Sequence, residues 1–143
     1  MKKRIIIDTL FVVYILILLR ITVFRSGIGS RELFSGEINL VPAADLAYTL
    51  KSSPASFIYL FLGNIIWFIP FSVYMRKIKN CKLIVTVALG FCLSLFIEIM
   101  QYIFGTGVSE IDDLILNTIG VLSGFYTAYL FDKIRGKYGN EQQ

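Results

Sequence analysis

Four apolar stretches divide the chain, with polar and basic residues gathered between them. The first, IIIDTLFVVYILILLRITVF, follows a basic start and predicts a helix over about residues 5–24. At 1.5 Å per residue that length crosses a hydrocarbon core about 30 Å thick. Further spans are expected over about 56–75, 83–104 and 111–131. Residues 25–55 are too interrupted to span, yet Leu33, Phe34, Ile38, Leu40, Val41, Leu46, Tyr48 and Leu50 make them too apolar for a free loop. They are expected to pack over the bundle mouth as a functional cover or as a plain cap. The pattern predicts an all-α membrane protein: a four-transmembrane-helix bundle with a long interfacial or re-entrant first extracytoplasmic loop, forming a single domain over residues 1–143.

Polar residues recur inside these spans at helical spacing. Glu98 and Gln101 are three apart, and Asp113, Asn117, Gly120 and Gly124 follow at intervals of four, three and four, so each set lines one helix face. Joined by a turn over residues 105–109, the two faces are expected to meet. An ionised carboxylate at the centre of a bilayer helix costs about 2.5–3.5 kcal/mol, so it is kept where it has a partner, a water-filled cavity or a task. Pro70 interrupts the second span and leaves a carbonyl for neighbours to satisfy. Ala88, Gly90, Cys92 and Ser94, with Gly120-x-x-x-Gly124, predict close helix packing. Within NLVP, at 39–42, Asn39 and Pro42 predict a fixed turn.

Composition agrees with the pattern: of 143 residues 56% are hydrophobic and only 17% charged, with a mean hydropathy of +0.71. Such a chain is too apolar for a water-soluble domain of its size. The net charge of +4 does not point to nucleic acid, because the basic residues stand at the ends of apolar segments and form no stripe interleaved with aromatics. Ten Lys or Arg lie at the start, between the second and third spans and at the C-terminus, against three in the remaining connections. By the positive-inside rule this predicts a multi-pass membrane protein with both termini cytoplasmic. The first segment is longer than a signal-peptide core, contains Arg20 and lacks a small-x-small site, so it is expected to remain as a span.

That topology gives the polar residues a depth. Arg20, Asn64, Glu98, Asp113 and Asn117 collect in the outer half, with Glu98 about 9 Å below the outer end of its helix. Arg20 either snorkels to the interface or turns inward to a carboxylate. Asp8, near the opposite end, is expected at headgroup level. Cys81 and Cys92 fall about 16 Å apart along the chain and are expected not to pair. The absence of His removes the commonest zinc ligand and the usual base of a Ser or Cys nucleophile.

NLVP at 39–42, GNIIWFIPFS at 63–72, SLFIEIMQ at 94–101 and EIDDLILNTIGVLSGF at 110–125 resemble, in order, the motifs of the VanZ-like family of small bacterial membrane proteins. The resemblance covers about residues 39–125, and its last block is the most specific. It implies a link, through the family's founding member, to resistance against teicoplanin-type lipoglycopeptides. The matching polar positions are Asn39, Pro42, Gly63, Asn64, Pro70, Glu98, Gln101, Asp112, Asp113, Asn117 and Gly120. Two positions depart from the family pattern: Ala43 stands where Phe is usual, and Gly107 and Val108 stand where an Arg precedes the acidic run. Any anion-binding role of that Arg passes to Arg20, Arg25 or Arg31, or is absent.

The candidate catalytic residues are Glu98, as general acid or base, and Asp113, nearer water. Asn39, Asn64, Gln101, Asp112, Asn117 and Arg20 are the candidate substrate-binding residues. Glu98, Asp112 and Asp113 together could hold a hard divalent cation through oxygen ligands. The expected partners are membrane lipids, a lipoglycopeptide or a cell-wall precursor, and further copies of the chain. Three functional classes fit: a protein that binds an envelope lipid or amphiphile, an enzyme that modifies a lipid-linked substrate by hydrolysis or by phosphoryl or acyl transfer, and a small transporter. The last is disfavoured, because four spans must oligomerise to alternate access.

Overall fold

A computed structural model describes residues 2–24 and 32–140, the last five by backbone alone. Seven elements follow one another: α1 (Lys2–Thr22), β1 (Glu37–Asn39), α2 (Ala44–Ser52), α3 (Pro54–Lys77), α4 (Leu83–Phe104), β2 (Val108–Glu110) and α5 (Ile111–Asn140). Four of them, α1, α3, α4 and α5, are long and apolar enough to cross a membrane, and they match the expected spans closely. The last of them, α5, runs on through Asn140, beyond the expected end near residue 131. These helices expose large apolar side chains such as Leu10, Leu16, Ile58, Ile66, Phe91, Phe96, Ile119 and Leu130. Helices apolar on all sides suit lipid surroundings.

The inner contacts are few and tight. Leu18, Val23, Phe68, Phe71, Ile97 and Val121 form the buried cluster. Gly120 and Gly124 lay α5 against α3: a Cβ on Gly120 would strike the Ile65 carbonyl oxygen, and one on Gly124 would come within 2.6 Å of the Ile69 carbonyl oxygen. The expected small-residue seam is therefore an α3–α5 contact. Of the four small residues expected to pack on α4, only Gly90 and Ser94 turn inward, Gly90 against the Val121 side chain. Ala88 and Cys92 face outward, because they lie about half a turn away from that buried face. Pro70 sits inside a continuous α3, and in the turn before it the Tyr14 hydroxyl donates to the Trp67 carbonyl. Cys81 and Cys92 are free.

The connection after α1 carries structure that apolar periodicity did not predict. β1 pairs in parallel with β2, in register Glu37 to Val108, Ile38 to Ser109 and Asn39 to Glu110. Phe34 N–H donates to the Ile103 carbonyl at 2.7 Å and Gly36 N–H to the Tyr102 carbonyl at 3.2 Å. This ties the connection to the end of α4. A Cβ on Gly36 would lie 2.5 Å from Tyr102 Cα, so the approach requires glycine. The NLVP turn is real: Asn39 Oδ1 accepts the Val41 N–H at 3.0 Å, and its Nδ2 donates to Asp45 Oδ2 at 2.6 Å. α2 then ends at Ser53, whose hydroxyl accepts the Ser56 N–H, and Pro54 opens α3 in its first turn.

Two turns set the ends of the bundle. α4 closes on Gly105 at φ 58, with Thr106 N–H on the Gln101 carbonyl at 3.1 Å and Gly105 N–H on the Tyr102 carbonyl at 3.3 Å. This Schellman arrangement uses up the last carbonyls of the helix and releases the chain directly into β2. At the opposite, basic end, Asp8 does more than sit at headgroup level. Its carboxylate accepts the Tyr74 hydroxyl at 2.6 Å and Lys79 Nζ at 3.5 Å, fastening α1 to the end of α3.

Candidate functional site

Beneath the β1–β2 pair lies a cavity of about 590 Å³, walled by α1, α3, α4, α5 and both strands. Its polar lining brings together Glu98 and Gln101 from α4, Asp113 and Asn117 from α5, and Asn64 from α3. The two polar faces expected from the sequence thus do meet. Glu98 is 5% exposed and Asn117 is 4% exposed. A second cavity of about 200 Å³ lies under α2, lined by Asp45, Leu46 and Thr49, and it shares Leu60, Glu110 and Asp113 with the first.

Each group in the wall is fixed by a neighbouring element. Glu98 Oε2 accepts the Glu110 N–H at 2.9 Å, while the Glu98 carbonyl accepts the Ser109 hydroxyl at 2.6 Å. Strand β2 therefore holds both the side chain and the backbone of Glu98. Asp113 accepts the Asn64 side-chain amide, which joins α5 to α3. Asn117 Nδ2 donates to Ser94 Oγ at 2.7 Å, and Gln101 Nε2 donates to the Thr22 carbonyl at 3.3 Å. The oxygens of these two amides, Asn117 Oδ1 and Gln101 Oε1, are buried without a hydrogen-bond partner among the described residues.

Three candidate binding residues fall elsewhere. Asp112 is buried but turned from the cavity, its carboxylate accepting the Ala43 N–H at 2.8 Å. That bond holds Ala43 at φ 60, a left-handed conformation costly for a residue with a Cβ. Asn39 serves the turn and Asp45 as described above. Arg20 is exposed, and its guanidinium donates to the Phe24 carbonyl one turn on, so it turns away from the carboxylates. Arg25 and Arg31 lie outside the described residues. With Asp112 drawn toward Ala43, Glu98, Asp112 and Asp113 do not surround one point, and among the described residues no group of three His, Cys, Asp or Glu could hold a metal ion.

Two acidic residues of the site were missed. Glu110 and Glu37 both line the cavity. Glu110 is the last residue of β2, just before α5 begins, so helical spacing does not place it. Glu37 left no signal either, since its place depends on the distant β2. Burial pushes the Glu110 carboxyl up to about 7, and the charges of Asp113, Asp45 and Asp112 add to the effect. A carboxyl poised near neutrality can take or give a proton at physiological pH. Tyr59, Leu60, Trp67 and Phe68 add an apolar and aromatic wall, and Tyr59, Leu60 and Trp67 also belong to the exposed surface of α3.

Bundle and cavity together define a small integral membrane protein of four spanning helices with a ligand-sized polar chamber at one end. The chain matches the VanZ/LLP1 family over residues 11–132 and belongs to it. It is 38% identical over 64 residues to Protein VanZ of Enterococcus faecium, a stretch that makes up 44% of this chain and 40% of that protein. The match thus spans well under half of that relative. No solved structure matches the chain.

Proposed function

We propose that the cavity binds the head of an envelope lipid or similar amphiphile, and that the protein thereby confers or modulates resistance to teicoplanin-type lipoglycopeptides. The observation that carries this reading is the double role of Tyr59, Leu60 and Trp67, which line the polar chamber and also face the apolar exterior of α3. An amphiphile beside α3 can place its head among Glu98, Asp113, Asn64 and Asn117 while its tail stays along the helix. The distribution of basic residues supports an orientation with both termini in the cytoplasm and the cavity toward the outer leaflet. The link to lipoglycopeptides rests on membership of the VanZ/LLP1 family.

A second reading, an enzyme acting on a lipid-linked envelope substrate, is favoured by Glu110, whose carboxyl titrates near neutrality beside Glu98. Protection assays and mass spectrometry of envelope lipids decide between the two. A binder protects in proportion to its copy number and copurifies with one lipid class at about one per chain, and Asp113→Asn loses both. A chemically altered lipid that appears only with the wild-type chain, at low expression, would replace the binder with the enzyme.

A further inference from the structure

Binding readings leave open which chemical class of head the chamber accepts, and the direction of its hydrogen bonds answers this. The three wall amides spend their nitrogens on the protein: Asn64 on Asp113, Gln101 on the Thr22 carbonyl and Asn117 on Ser94. What Gln101 and Asn117, both in the chamber wall, leave unspent is oxygen. Asn117, 4% exposed, has an Oδ1 with no partner, and Gln101 Oε1 is in the same condition. A buried acceptor without a donor is costly to keep, so such an atom marks a place for a donor from outside.

Carboxylates of Glu37, Glu98, Glu110 and Asp113 line the same chamber, and among the described residues no Lys or Arg does. An anionic head would meet like charges at short range in a half-buried site, where repulsion is screened less than in water. Resting on the reading that the site takes an amphiphile, we infer that its head is a protonated primary amine, seated among the oxygens of Glu98, Asp113, Glu110 and Asn117 with the aromatic faces of Tyr59 and Trp67 at the entrance. An ammonium group carries three donors and no acceptor, the complement of this lining. The rings add attraction for a cation without requiring a fixed hydrogen bond.

Trp67 is the one tryptophan of the chain and lines the chamber, so its fluorescence reports occupancy directly. The full chain in phosphatidylcholine nanodiscs is titrated with dodecylammonium, dodecyl phosphate, dodecanol and methylammonium. The expected result is a saturable change with dodecylammonium at concentrations at least tenfold below those needed for the other three. Glu98→Gln keeps an oxygen for the Glu110 N–H, and Asp113→Asn keeps one for Asn64; each weakens the response to dodecylammonium tenfold or more. Using both variants guards against one failing to insert. Dodecyl phosphate or dodecanol binding as tightly as dodecylammonium overturns the amine assignment and leaves an amphiphile site standing. Methylammonium matching dodecylammonium keeps the amine and removes the amphiphile. No saturable response to any probe overturns both.

Discussion

The backbone N–H of Glu110 donates to the side chain of Glu98 at 2.9 Å, so the one carboxylate of α4, which is buried, is positioned by a strand and not by another helix. Strand β2 has only three residues and is itself held by β1, which makes the first connection part of the site. Glu98→Gln preserves an acceptor for this N–H and removes the charge. It should therefore melt close to wild type in detergent while losing protection against teicoplanin. Glu98→Ala leaves the N–H without its acceptor and should cost about 1–3 kcal/mol. Equal melting of the two variants would show that the bond does not hold β2.

Close packing of α5 on α3 predicts a graded glycine series. Gly120→Ala drives a methyl into the Ile65 carbonyl oxygen, a backbone atom that cannot rotate aside, whereas a Cβ on Gly63 meets nothing within 4 Å. Gly120→Ala should lower the melting temperature by an amount corresponding to about 1–3 kcal/mol. Gly63→Ala should be neutral or slightly stabilising, since Ala is the better helix former. Thermal unfolding of the two variants side by side checks the seam.

Stability should depend on pH through Glu110. Its carboxyl titrates near 7 in the folded chain against an ordinary value of 4.5, with burial as the largest cause. The folded state thus holds this proton more tightly than the unfolded chain. The resulting stability is complete below about 4.5 and is lost as the pH rises through about 7. Glu98, Asp113, Asp112, Asp45 and Glu37 surround the group from α4, α5, α2 and β1, and all are acidic. Melting temperatures should fall between pH 5 and pH 8, and Glu110→Gln should make the fall shallower. An unchanged slope in that variant would remove Glu110 as its source.

Orientation can be read with fused reporters. The ten-to-three division of basic residues predicts cytoplasmic signals from a reporter after Gln143 or within the loop at Asn80, and an external signal at Gly107. An external C-terminus would turn the cavity toward the cytoplasm and remove the argument for a ligand of the outer leaflet.

The spanning helices were legible in the sequence because each is a run of about twenty mainly apolar residues. Glu98, Gln101, Asp113 and Asn117 were legible for a related reason: helical spacing alone places them on shared faces. Asp112 misled because it is next to Asp113 in sequence but about 100° around the helix, where Ala43 claims it. β1 and α2 lay hidden for a different reason. A three-residue strand has no periodicity to detect, and its pairing partner is about seventy positions away. Glu37 shared that fate, since only the parallel register brings it to the cavity.

That distance also orders events during synthesis. When β1 leaves the ribosome its partner strand does not yet exist, and at about 5–20 residues per second β2 follows after on the order of 10 s. Through that interval α3 and then α4 enter the membrane while Glu37, Ile38 and Asn39 have no strand to pair with. The chamber is consequently completed last, because β2 and the α5 residues Asp113 and Asn117 that wall it are made only at the end of that interval.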